Sequence, residues 1–203
     1  MKAWRYLLAG LTLTLAIAAR ATSVIPPDFT EMVNGSDYIV RARVVAVSSE
    51  TRLRNGHERI YTNVELEVLE VIAGTPPSPL VLTMLGGKSG SKELKVAGAP
   101  KFVVGNEDIL FVQGNGQAVS PLYAMMHGQY PVLYDKARGR TYVCRSNLVP
   151  LLNAAEVSLP LSAGKPAELL RRMVDLSSAL TPAEFVKSIK RARQVPATRA
   201  KLN

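Results

Sequence analysis

Two long stretches of alternating residues constrain this chain more than anything else in it. Over residues 38–47, Val40, Ala42, Val44 and Ala46 fall on one parity, and Arg41 and Arg43 on the other. Successive side chains of a strand point to opposite faces, so this reads as a strand with one buried face and two arginines in water. A second strand is predicted over residues 59–72, where Val64, Leu66 and Val68 alternate with Glu65 and Glu67. Asn55-Gly56 between the two is a tight-turn signal, so they pair as a hairpin. After Val68 the parity slips, because Leu69 and Val71 now flank Glu70. A β-bulge at that point restores one buried face and sharpens the curvature of the strand. Long, bulged, antiparallel strands bend a sheet onto itself.

Shorter strands are predicted over residues 80–85, 93–96 and 108–113, with residues 86–91 as a loop. A closing hairpin is predicted from 130–134 and 140–145. Asp28 with Glu31 three residues on reads as the capping box of a short helix over residues 28–33. Past Val149 the pattern changes. Leu169, Leu170, Met173 and Leu176 fall at helical spacing, and Phe185, Val186, Ile189 and Ala192 follow a second capping box at Thr181–Glu184. The fold expected is mainly β: a small OB-like antiparallel barrel with a short N-terminal helix and two C-terminal helices. The organisation expected is a leader over residues 1–21, a β-domain over 22–150, and a loose connection with a basic helical segment over 151–203.

The leader is read from a basic start through Arg5, an uncharged apolar run over residues 6–18, and the small residues Ala19 and Ala21. That is the layout of a secretory signal peptide, and the run is short of the roughly 20 residues that span a bilayer. The expectation is an exported chain, periplasmic or secreted, beginning near Thr22, with no transmembrane segment after it. The charge divides accordingly. Residues 22–164 carry 13 Lys/Arg and 13 Asp/Glu, and residues 165–203 carry 9 and 3. The net +9 of the chain is therefore no property of the β-domain, and the basic end reads as a solvated helix face without a nucleic-acid partner. Cys144 is the single cysteine, so no intrachain disulfide forms; in an alternating segment it reads as a small buried apolar side chain.

The chemical motifs are weak. Gly87-Lys88-Ser89 lacks the upstream glycine and the following helix of a phosphate loop. His57 reads as an exposed hairpin residue and His127 as a buried one or a strand end. Neither shows metal-ligand spacing, so no metal or cofactor is expected. No Gly-x-Ser-x-Gly elbow presents a nucleophile. Glu65, Glu67 and Glu70 share one strand and read as a solvated face. Asn34-Gly35-Ser36 matches a glycosylation sequon.

Several runs together resemble a group of uncharacterised exported bacterial proteins: residues 36–44, Ile60-Tyr61-Thr62 with 64–74, Gly86-Gly87, residues 105–111, residues 128–132 and residues 182–186. The order of elements also resembles the netrin-like barrel of tissue inhibitors of metalloproteinases. That resemblance implies an OB-like barrel and, by analogy, protease inhibition. Those inhibitors place an N-terminal cysteine on the protease zinc. This chain has Thr22 near the expected mature end, so that residue has no counterpart.

Three functions stay open on the sequence. The first is a non-enzymatic binding module whose partner is another exported protein, a protease or a surface component. Its candidate contacts are Thr22, Ser23, Val24 and Ile25 together with Lys88, Ser89 and Lys92. The second is a metalloprotease inhibitor. The third is a hydrolase whose polar groups converge from distant strands.

Overall fold

The structure, a computed structural model, describes residues 25–54 and 56–194. The leader, Thr22, Ser23, Val24, Asn55 and residues 195–203 lie outside the described residues.

Helix α1 spans Phe29–Gly35. Asp28 caps it by accepting from the N–H of Thr30 at 2.8 Å and of Glu31 at 3.2 Å. Glu31 does not close the expected capping box. Its carboxylate accepts from the Tyr123 hydroxyl at 2.9 Å instead, tying the helix to a distant loop. The amide nitrogen of Asn34, in the sequon, is buried without a hydrogen-bond partner.

Strands β1 (Tyr38–Arg54) and β2 (His57–Gly74) pair antiparallel from Tyr38 opposite Gly74 to Arg54 opposite His57. Gly56 takes φ +76° in the turn, a conformation that suits glycine. The predicted bulge is present: Arg41 pairs with Glu70 and Ala42 with Val68, leaving Leu69 without a partner. A second bulge omits Ile72, and a third omits Val45 on β1. Two bulges so close together reverse the parity twice. Leu69 is 38% exposed, Val71 is 49% exposed although it pairs with the buried Val40, and Ile72 is buried in the cluster on the other face. The single buried face expected for β1 is also an underestimate. Val40, Ala42 and Val44 pack with Val64, Leu66, Leu82 and Leu110 in one cluster. Ile39 belongs to a second cluster, with Ile72, Phe111 and Tyr130. Arg41 is half-buried and ion-paired to Glu107.

The sheet continues with β3 (Leu80–Leu85), β6 (Glu107–Val112), β7 (Gln129–Asp135) and β8 (Arg140–Val143). Six antiparallel strands run in the order β3-β2-β1-β6-β7-β8. The residues expected as a loop form β4 (Gly87–Ser89), which pairs with β5 (Lys92–Leu94) in a separate hairpin. The sheet is not closed, which corrects the barrel. Closure needs β3 to meet β8, and other parts of the chain cover both edges. On β3, the Asn115 side chain accepts from the Thr83 N–H at 2.9 Å and donates to the Val81 carbonyl at 2.8 Å. Beyond β8, Leu180 and Leu151 take the backbone bonds of Val143. A covered edge has no free ladder to offer another strand.

Helices α2 (Gly164–Met173) and α3 (Pro182–Gln194) complete the fold. The capping box at Thr181 is present, with Glu184 accepting from the Thr181 N–H at 2.8 Å and the Thr181 hydroxyl accepting from the Glu184 N–H at 3.3 Å. Phe185 reaches into the first cluster, 5.0 Å from the Tyr130 ring centroid and 6.1 Å from that of Phe111. The expected loose connection is instead packed, since Leu151 and Val157 are fully buried. The apolar stripe of α2 points outward: Leu169, Leu170 and Met173 are exposed, and among the described residues of the helix Ala167 is the buried one. Among the described residues no helix is long and apolar enough to cross a membrane.

Candidate functional site

The inner side of α2 explains its outward stripe. Small and polar residues, Ala167 and Arg171, face the body of the protein across a cleft of about 290 Å³. Five further stretches converge there: residues 99–101, Met126, the start of β7 at Gln129, residues 146–147 after β8, and residues 161–164 leading into α2.

Gln129 builds the floor. Its amide donates to the Lys101 carbonyl at 2.7 Å and accepts from the Lys101 N–H at 3.2 Å, so one side chain pins the loop backbone twice. The same Nε2 donates to Asp108 Oδ1 at 3.3 Å. Asp108 is only 2% exposed. Burial drives its pKa up to about 7, against the pull of the Gln129 bond, and the neighbouring charge of Glu107 adds to the rise. Beside this pair His127 is buried, and desolvation first, then the positive charge of Arg145, lower its pKa.

The outer wall is held by buried cation and amide bonds. The Arg145 guanidinium donates to the Leu159 carbonyl and, at 3.2 Å, to the Pro160 carbonyl. The Asn147 amide donates to the Ser162 carbonyl at 2.9 Å. Arg171 donates to the Asn147 carbonyl at 2.6 Å, which brings α2 against the wall. The Ser146 hydroxyl lines the cleft, buried and without a hydrogen-bond partner. Cys144 lies just behind, fully buried, and burial pushes its thiol up to about 12, so it stays protonated at neutral pH.

Of the residues expected to make contacts, Thr22, Ser23 and Val24 lie outside the described residues, and the others lie away from the cleft. Ile25 is 83% exposed and does not line the cleft. Lys88, Ser89 and Lys92 sit on the β4–β5 hairpin, and none of them lines it either. Lys92 is engaged with Glu58, and the Ser89 hydroxyl accepts from that of Thr51 at 3.2 Å. Glu67 and Glu70 pair with Arg43 and Lys190, as structural charges of a strand face. Sequence reasoning missed Lys101, Gln129, Ser146, Asn147 and Arg171. The one local signal was Gln129, an amide opening an otherwise apolar strand. The other residues come from three separate segments that only the fold joins.

No protein-family model and no curated protein sequence matches this chain.

Proposed function

We propose that this chain is an exported, non-enzymatic binding module and that its ligand enters the cleft between α2 and the start of β7. The observation that carries the reading is the contrast between a fixed frame and spare donors. Gln129, Asn147 and Arg145 spend their hydrogen bonds on backbone and hold the walls in place. The Ser146 hydroxyl and the Lys101 ammonium have no partner among the described residues. A rigid concave site with a few convergent polar groups is the usual form of a small-ligand site. The chemistry nearby suits binding better than turnover, because the one thiol is held protonated and His127 is buried beside a cation. Export is proposed from the leader-like start of the sequence, and full burial of Cys144 fits an oxidising compartment.

The test is a fragment screen on the full chain, read by amide chemical shifts. Saturable shifts clustered at residues 101, 129, 146 and 164 are the expected result. Hits that move only the β4–β5 hairpin would return the site to Lys88–Lys92, and hits nowhere would remove the reading.

A further inference from the structure

The cleft has a marked charge character. Lys101 and Arg171 line it, and no aspartate or glutamate does. Among the described residues neither cation has a carboxylate within ion-pair distance. A third cation, Arg145, lies beneath, and its hydrogen bonds go to carbonyls. The acid that acts on Arg145, Glu156, is spent on the Leu152 N–H at 2.9 Å and on Asn153. Asp108 stands behind Gln129, outside the lining. Positive charge held in a partly desolvated cleft without its own counter-ion favours an anionic guest. Arginine brings a further advantage: its guanidinium carries five N–H donors in a fixed fork, and the Asn147 carbonyl takes up one nitrogen.

Two further features point the same way. The Ser146 hydroxyl is a buried donor with nothing to bond, and leaving such a group unpaired costs free energy that a guest oxygen would recover. Helix α2 also opens onto the cleft at Gly164 without a side-chain cap, since its N-cap position is Ala163. The first N–H groups of a helix have no partner inside it, and they carry the positive end of the helix dipole. Pro166, at the third position, has no N–H to satisfy; of the other opening residues Gly164, left-handed at φ +58°, lines the cleft and Lys165 does not. The rest of the lining is apolar: Ala99, Met126, Leu161 and Ala167.

Resting on the binding-module reading above, we infer that the cleft takes a carboxylate joined to a short apolar group. Lys101 and Arg171 hold the charge, the Ser146 hydroxyl and the opening turn of α2 bond its oxygens, and Leu161 and Ala167 receive the apolar part. The same chemistry is offered by a free short-chain acid and by the C-terminal residue of a polypeptide.

The experiment titrates the full chain with pentanoate, pentanamide and pentylamine, following amide shifts at residues 101, 129, 146 and 164. It is repeated with Lys101→Gln and Arg171→Gln, each checked for an unchanged far-UV spectrum and melting profile. Pentanoate is expected to bind saturably, with pentanamide and pentylamine at least about tenfold weaker, the factor that follows from losing one charge-assisted hydrogen bond. Each variant is expected to weaken pentanoate by a similar factor; Lys101 is exposed, so its variant keeps the fold even where Arg171→Gln does not. A second arm compares a pentapeptide ending in Ala-Val, free and amidated. A gain over pentanoate that amidation abolishes assigns the carboxylate to a chain terminus, and no gain assigns it to a free acid; either supports the inference. Equal or tighter binding of pentanamide or pentylamine would overturn the inference and leave the cleft as a binding site. Silence from every probe at these residues would overturn the binding-module reading as well.

Discussion

Asp108 shows how one residue couples the site to stability. Its carboxyl, buried beside Ala42 in the sheet register and held by Gln129, titrates near 7 in the folded chain. An exposed carboxyl titrates near 4, so between those values the folded state binds more protons than the unfolded one. The contribution of Asp108 therefore becomes steadily more unfavourable as pH rises from about 4 to 7, and is constant above that. Asp108→Asn keeps the shape and can still accept from Gln129 without burying a charge. The variant should be more stable than the parent by about 1–4 kcal/mol at pH 8, with the gain fading towards pH 4. Urea unfolding of both proteins across that range checks the sign; a gain that grows on acidification would refute it. Cys144 gives a second expectation at this scale. With its thiol raised to about 12 and fully buried, it should stay unlabelled by a maleimide at pH 7 in the native chain and label on unfolding. The alternating pattern around Cys144 made its burial legible in the sequence. The burial of Asp108 was not, because an acid at the head of a strand looks solvent-facing until Gln129 is seen beside it.

The hairpin of β1 and β2 was the most legible element, since periodicity, the Asn-Gly turn and the parity slip at Leu69 agreed with one another. The second bulge at Ile72 left no comparable mark, as Ile72 and its neighbours Val71 and Ala73 are all apolar and hide the reversal of faces. The capping box of α3 was legible from four adjacent residues; that of α1 was misread because Tyr123, far along the chain, takes Glu31. The edge of β3 was beyond sequence reasoning for the same reason. Asn115 imitates a neighbouring strand with one side-chain amide, accepting from Thr83 and donating to Val81. Asn115→Ala should free both backbone groups, cost about 1–3 kcal/mol, and turn a covered edge into a pairing surface. Chemical denaturation and light scattering at rising protein concentration measure the two effects. An unchanged midpoint and no association would show that the amide does not guard the edge.

Across the whole molecule the sheet carries two cores, one on each face, and α3 seals the first with α1. The barrel expectation followed from correct strands and a correct bulge, but closure depends on what the edges meet, which alternation does not encode. Phe185 joins α3 to Phe111 and Tyr130, so Phe185→Ala should cost about 3–5 kcal/mol and loosen sheet and helix in one transition. A small loss confined to α3 would instead make the helix an appendage. The cleft belongs to this scale too, since it exists only where β7, the segment after β8 and α2 are held together. Its location can be set directly against the hairpin favoured by the sequence. Ala99→Cys and Lys88→Cys each place a reactive thiol on the chain, at the cleft and at the hairpin, while Cys144 stays silent. After labelling with a bulky maleimide, pentanoate binding is measured on both. Binding lost with the label at position 99 and kept with the label at position 88 is the predicted result. Binding kept at 99 and lost at 88 would contradict the account.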